Sequence, residues 1–300
     1  MSRLLILKKP GKVRLGGWYS MTVDKIRALV LTGYGLNCDY ETNFCLNLAG
    51  ATSERVHINE LIKGEEIGKI TRLEDYHLLA FDGGFSWADD HGAGIVLGAR
   101  LRYNIGDQLE QFIKDGKLII GICNGFQALV NLGLLPGFNG NYHSREVALT
   151  FNDIGNFRNL WVTLKKNKKT NCIFTEGIDL LDLPIRHGEG KFFTSDEVLK
   201  KLKENNQIVF QYAKGSDGLA NEEYPANPNG SLMDIAGICD PTGRIFGLMP
   251  HPEAYNHYTN HPNWPRRVQE LTSNNQKLEH EEGEGVRIFR NAVEYIKNNF

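Results

Sequence analysis

The sequence predicts an α/β protein: an open, mostly parallel sheet with helices on both faces and antiparallel strands added in its second half. Three observations carry this. From residue 27, short apolar runs alternate with longer amphipathic stretches. The runs are continuously apolar rather than alternating, the mark of strands buried on both faces of a parallel sheet. Glycine-rich or polar turns (TGYGLN, DGGFSWADD and CNGFQ) follow three of them, as at the carboxyl edge of open α/β sheets, where ligands bind.

The elements follow in order. RALVL (27–31) is the first strand, and a helical pattern covers Cys38–Leu48. ATSERVHI (51–58) is a second strand and HLLAFDGGF (77–85) a third that runs into a Gly-Gly turn. Residues 94–115 form a long amphipathic helix. KLIIGIC (117–123) is a fourth strand, and NGFQALVNLG (124–133) a helix closed by glycine. Beyond it, VALTF (147–151), NLWVTL (159–164), IVFQYA (208–213), SLMDIAGICD (231–240) and GRIFGLMP (243–250) are β-rich and separated by turns such as NPNG and PTG. They continue the same sheet. The final helix, GEGVRIFRNAVEYIKNNF, gathers Val286, Ile288, Phe289, Ala292, Val293 and Ile296 on roughly one face. The acidic, Asn/Gln-rich segment 269–284 before it is expected as an exposed loop. No linker, low-complexity tract or repeat divides the chain, so one domain over 27–300 is expected. Residues 1–26 are read as a peripheral extension, with Met21 as an alternative start.

A net charge of −2 argues against a nucleic-acid-binding surface, which shows a basic excess. No apolar run approaches the ~20 residues of a membrane-spanning helix. The five cysteines (38, 45, 123, 172 and 239) are scattered and contain no CxxC pair. That usage suits a reducing, cytoplasmic setting and predicts neither a disulfide framework nor a metal centre.

The chemistry concentrates in two places. In LIIGICNGFQAL (118–129) a buried strand ends on Cys123 at a turn. A core filler, a metal ligand, a redox thiol and a nucleophile are all open there. Gly121 and Gly125 flank the cysteine at minus and plus two, as a strand-to-helix elbow that exposes a nucleophile requires. The following helix start favours a thiolate, and its free N–H groups, beginning at Asn124, are oriented to stabilise an oxyanion. A thiolate needs a base to carry protons. In LMPHPEAYNHY (248–258) an apolar strand ends on His251, with Glu253 two residues on. If the chain stays extended past Pro252, both side chains point the same way and Glu253 orients the imidazole. His257 and His261 lie in a polar stretch that matches no standard metal spacing.

GICNGFQ, DGGFSWADD, RHGEGKF, YPANPNGS and GLMPHPEA together resemble the class I (triad) glutamine amidotransferases, whose general mark is CxGxQ with a distant HPE. HGEG and YPxNPNGS are narrower and point to the amidotransferase subunits of phosphoribosylformylglycinamidine synthase. The resemblance covers about residues 27–298. It implies the flavodoxin-like amidotransferase fold and a triad of Cys123, His251 and Glu253 that hydrolyses glutamine through a thioester. It further implies an oxyanion site between the Gly84–Phe85 turn and Asn124, and a substrate-holding role for Gln127. His187 and Glu189 of HGEG, and Asn227 and Asn229 of NPNG, fall in motifs near the site or a partner face, with an ordinary structural turn the competing reading for NPNG.

No P-loop pattern (GxxxxGK[ST]) occurs in the chain. The resemblance therefore places ATP and Mg²⁺ on a separate formylglycinamidine ribonucleotide synthetase subunit, with a small third subunit as a candidate member of the complex. It implies no cofactor and no metal in this chain. The chain departs from the pattern through residues 1–26 and an insertion at 254–284. Two other readings remain: a cysteine hydrolase or chaperone-like protein of the same fold, where histidine usually follows the nucleophile in place of Asn124, and a non-catalytic regulatory subunit.

Overall fold

The computed structural model describes residues 26–64, 66, 68–274 and 281–300. The expectations for residues 1–25, and for 275–280 of the insertion, lie outside the described residues.

In chain order the elements are β1 (Arg27–Thr32), α1 (Asp39–Leu48), β2 (Thr52–His57), α2 (Ile58–Lys63), β3 (Leu78–Phe81), α3 (Ile95–Lys114), β4 (Leu118–Ile122) and α4 (Asn124–Leu132). Then come β5 (Val147–Thr150), β6 (Arg158–Lys166), β7 (Leu180–His187), β8 (Lys191–Thr194), α5 (Asp196–Glu204), β9 (Ile208–Ala213), β10 (Ile235–Cys239), β11 (Ile245–Leu248), α6 (Trp264–Ser273) and α7 (Val286–Asn299).

Nine strands form one sheet in the order β2-β1-β3-β4-β11-β10-β9-β6-β7. The first five run parallel, and the last four are added antiparallel. Every residue of β3, β4, β10 and β11 is buried, which is why those segments read as unbroken apolar runs. α3 and α7 cover the sheet through one face each. α3 buries Leu97, Leu101, Ile105, Leu109 and Phe112, and α7 buries the six residues anticipated for it. α3 packs with α4, and α1 with α7.

Two local expectations are corrected, and β7 and α5 are elements beyond those expected. VALTF is not part of the main sheet: β5 pairs with β8 in a separate two-stranded sheet. β7 is one of the added elements, and its LLDLPIRH carries Pro184, a residue that counts against a strand. β7 is an edge strand, the place where a missing N–H is tolerated. α5 was also overlooked, although Ser195 caps it by accepting from the Val198 N–H and acidic residues fill its first turn. Finally, the loop expected from 269 begins as a helix. α6 buries none of its residues, so it lacks the apolar stripe that periodicity detects. Tertiary contacts hold it instead: Arg267 donates to Asp182 of β7 at 2.7 Å and to the Tyr255 hydroxyl at 3.1 Å. The rings of Tyr255 and His261 lie against Trp161 of β6. The described part of the insertion thus packs on the β6–β7 edge.

Among the described residues, no helix is long and apolar enough to cross a membrane.

Candidate active site

The site grows from one register. β4 and β11 are parallel neighbours with Ile122 opposite Leu248, so the residues that leave them start side by side. Cys123 is the first residue beyond β4, and its N–H is tied to the Leu248 carbonyl at 2.8 Å. Its backbone lies at φ 51°, ψ −105°, a conformation costing a non-glycine residue on the order of 1–3 kcal/mol. Close packing keeps it there. A Cβ on Gly125 would fall 2.0 Å from the Phe81 carbonyl oxygen, so only glycine lets the first turn of α4 lie against β3. Cys123 is buried, and its Sγ lies 3.7 Å from the Arg186 carbonyl at the end of β7.

From β11 the chain runs to His251, whose N–H donates to the Pro184 carbonyl at 2.8 Å. The chain is not extended past Pro252, as the sequence reading assumed. Pro252–Ala254 form a single 3₁₀ turn, and the turn itself brings Glu253 round to His251, with Oε1 at 2.5 Å from Nδ1. Both side chains are almost fully buried. Burial alone would lower the imidazole pKa. The Glu253 carboxylate, with Cys123 next in importance, reverses this and holds it well above the ordinary histidine value. His251 Nε2 and Glu253 Oε2 are buried without a hydrogen-bond partner. With Glu253 on Nδ1, Nε2 is the nitrogen left to exchange a proton with a nucleophile.

The structure accounts differently for the oxyanion and substrate residues. The Phe85 N–H is committed to the Gly35 carbonyl at 2.9 Å, so Phe85 is removed as an oxyanion donor. Gly84 and Asn124 remain, the latter at the open first turn of α4. The Asn124 side chain braces the elbow: Oδ1 accepts from the Ser86 N–H at 3.3 Å, and Nδ2 donates to Asp89 at 2.9 Å and to Gln127 Oε1 at 3.2 Å. Both ends of the Gln127 amide are engaged within the protein, Nε2 donating to the Glu189 carbonyl. It links α4 to the HGEG loop, with one donor and one acceptor of the amide left for a substrate. The Glu189 carboxylate accepts from the Ala93 N–H at 3.3 Å. Burial, and then repulsion from Glu189, raises the Asp89 carboxyl to about 6.

His187 is buried with Nδ1 3.0 Å from Asn152 Oδ1. Asn152 Oδ1 also accepts from the Gly190 N–H, while its Nδ2 donates to the His187 and Asn156 carbonyls. His187 therefore carries its proton on Nδ1. Burial first, and the charge of His251 second, push its pKa down to about 3, leaving a neutral ring. NPNG does fold as a turn: Asn227 Oδ1 accepts from the Gly230 N–H at 2.9 Å and the Ser231 N–H at 3.2 Å. Yet Asn229 Nδ2 donates to the Gly190 carbonyl at 2.8 Å, so this turn buttresses HGEG from behind.

Sequence reading missed Asn152, for which nothing in FNDIGN is a signal. It also missed Cys38, whose only signal is its place after TGYGLN at the carboxyl end of β1. Cys38 Sγ lies 3.9 Å from His251 Nδ1. Ligand atoms of Cys38, His251 and Glu253 all lie within 4.8 Å of one another, a grouping that spacing along the chain cannot reveal.

A cysteine on a strand-to-helix elbow, a histidine–carboxylate pair at the next strand end, and a sheet of this order define a glutamine amidotransferase domain. Residues 25–296 match the family described as the CobB/CobQ-like glutamine amidotransferase domain. The chain is 46% identical over 275 residues to the phosphoribosylformylglycinamidine synthase subunit PurQ of Dehalococcoides mccartyi, covering 92% of this chain and 99% of that one. It is 43% identical over 270 residues to the same-named subunit of Methanococcus maripaludis, covering 90% and 97%. Among solved structures it is similar to a chain of PurLQS from Thermotoga maritima, with 29% identity, a TM-score of 0.62, and 90% and 99% of the two chains covered. The chain belongs to the CobB/CobQ-like glutamine amidotransferase family, in the branch of the PurQ subunits of phosphoribosylformylglycinamidine synthase.

Proposed function

We propose that this chain is the ammonia-supplying glutaminase subunit of phosphoribosylformylglycinamidine synthase, acting in de novo purine biosynthesis. The similarity to PurQ subunits over nine-tenths of the chain supports the substrate and pathway. The observation that carries the chemistry is the buried His251–Glu253 pair beside the Cys123 elbow.

Cys123 Sγ attacks the side-chain amide carbon of glutamine, passing its proton to His251. The oxyanion is held by the N–H groups of Gly84 and Asn124. The C–N bond breaks as His251 returns the proton to the nitrogen, which leaves as ammonia. His251 then takes a proton from water, whose oxygen attacks the thioester; glutamate departs and the thiol is restored. Glu253 stabilises the imidazolium formed in each half through its contact with Nδ1.

The ammonia goes to a separate synthetase subunit that holds the ATP and Mg²⁺, with a small third subunit as a candidate member. The PurLQS relative supports such an assembly, and the lack of a P-loop pattern supports placing the nucleotide elsewhere. This chain then needs no cofactor and works in the cytoplasm. The test is reconstitution with the synthetase. In Cys123→Ala, glutamine-dependent amidine synthesis falls on the order of 10⁴-fold or more, while ammonia-dependent synthesis is kept. Loss of both activities would make Cys123 structural and overturn the assignment.

A further inference from the structure

We propose that Cys38, His251 and Glu253 form a site for a borderline-soft divalent cation of the Zn²⁺ class, and that an ion bound there switches the glutaminase off. The binding claim stands on geometry. Its inhibitory consequence rests on the glutaminase reading.

The donor set is one thiol, one imidazole and one carboxylate, the mixed S, N and O chemistry that Zn²⁺ accepts in tetrahedral sites. The three ligand atoms already lie within 4.8 Å of one another. Bond lengths of about 2.0–2.3 Å place the ligands of a tetrahedral zinc roughly 3.3–3.6 Å apart. Cys38 Sγ at 3.9 Å from His251 Nδ1 is a few tenths of an ångström from that spacing. Glu253 Oε1, at 2.5 Å, has to move outward. The second oxygen of the same carboxylate, Oε2, is buried without any partner, although Glu253 is only 1% exposed. A buried carboxylate with one oxygen unsatisfied, in a residue whose ligand atom lies within 4.8 Å of a thiol and an imidazole nitrogen, is the independent sign that this pocket can take a cation.

The surroundings permit it. Gly83 forms one wall: a Cβ there would lie 2.7 Å from His251 Cε1 and 3.1 Å from Cys38 Sγ. Cys38 is only partly buried, its thiol lying 3.5 Å from the exposed Asn37 Oδ1, so an ion reaches it from solvent. The ion takes the Nδ1 lone pair, the ring's proton moves to Nε2, and the thiol proton of Cys38 goes to water. The imidazole then carries its proton on Nε2 and is unable to accept one from Cys123. Glu253 is drawn off the ring at the same time. Nucleophile activation stops without any change at Cys123 itself.

Because a Cys123–His251 pair also attracts metal ions, the decisive experiment uses Cys123→Ala. Titrating that full-length variant with Co²⁺ should give a thiolate-to-cobalt charge-transfer band saturating at one ion per chain. Adding Cys38→Ser should abolish the band. In the native chain with its synthetase, Zn²⁺ should inhibit glutamine hydrolysis, and Cys38→Ser should raise the inhibiting concentration about tenfold or more, each variant being compared with its own uninhibited rate. A cobalt band that survives Cys38→Ser overturns the site, and unchanged inhibition by Zn²⁺ overturns its inhibitory role. A Cys38-dependent band in a complex that hydrolyses no glutamine upholds the site and overturns the glutaminase reading alone.

Discussion

Glu253 acts on His251 by charge, and its substitution separates charge from shape. Glu253→Gln keeps an acceptor near Nδ1 but removes the carboxylate that opposes the effect of burial. The expected outcome is a fall in kcat of roughly 10²–10⁴-fold, with the His251 limb of the kcat/KM profile moved to lower pH; a pH–rate series measures both. His187 has the opposite electrostatics and a different readout. Its folded pKa, about 3, lies below its unfolded value of 6.5. Between those values the unfolded chain binds a proton that the folded one refuses. Stability therefore falls as pH drops from 6.5 towards 3, with a slope approaching 1.4 kcal/mol per pH unit from this group. His187→Gln should flatten that part of the curve in denaturant titrations at pH 4–7; an unchanged slope would remove His187 as its source. Cys123 and His251 were legible as candidates because each follows an apolar strand, β4 and β11, and those strands lie side by side. Phe85 was misjudged because a motif fixes where a residue sits along the chain, not which internal partner has claimed its N–H.

At the level of elements, the elbow depends on one contact between α4 and β3. Gly125→Ala places a methyl group 2.0 Å from a main-chain oxygen, and backbone on both sides leaves nothing flexible to yield. The expected cost is about 1–3 kcal/mol or more, read as a lower midpoint in urea, together with loss of glutamine hydrolysis. A variant of native stability with full activity would show that α4 can shift without moving Cys123. The inner strands of the parallel half were readable because they are buried on both faces. The far edge was not, for two physical reasons. β7 contains a proline that only an edge strand tolerates, and α6 is held by Arg267 and ring contacts with β6 and β7 instead of an apolar stripe. The HGEG and NPNG motifs were visible as words, but their mutual bond from Asn229 to Gly190 joins segments that sequence spacing does not relate.

For the whole molecule, handing ammonia to a second subunit implies that hydrolysis is gated by assembly, since free ammonia is lost to protonation and solvent. The isolated chain should turn over glutamine weakly, and adding the synthetase should raise kcat at least about tenfold, equivalent to 1.4 kcal/mol of barrier, in a glutamate-release assay. Equal rates alone and in complex would reject the gating. The position of β11 has one more consequence. The strand that delivers His251 is the last to be made, yet it inserts in the middle of the sheet, between β4 and β10. On the ribosome, the segment bearing the reactive sulphur emerges long before the strand that must lie beside it. A nascent chain thus holds its nucleophile without a base, and a nonsense mutation anywhere before β11 yields a polypeptide incapable of spilling ammonia. The order of synthesis is itself a safeguard.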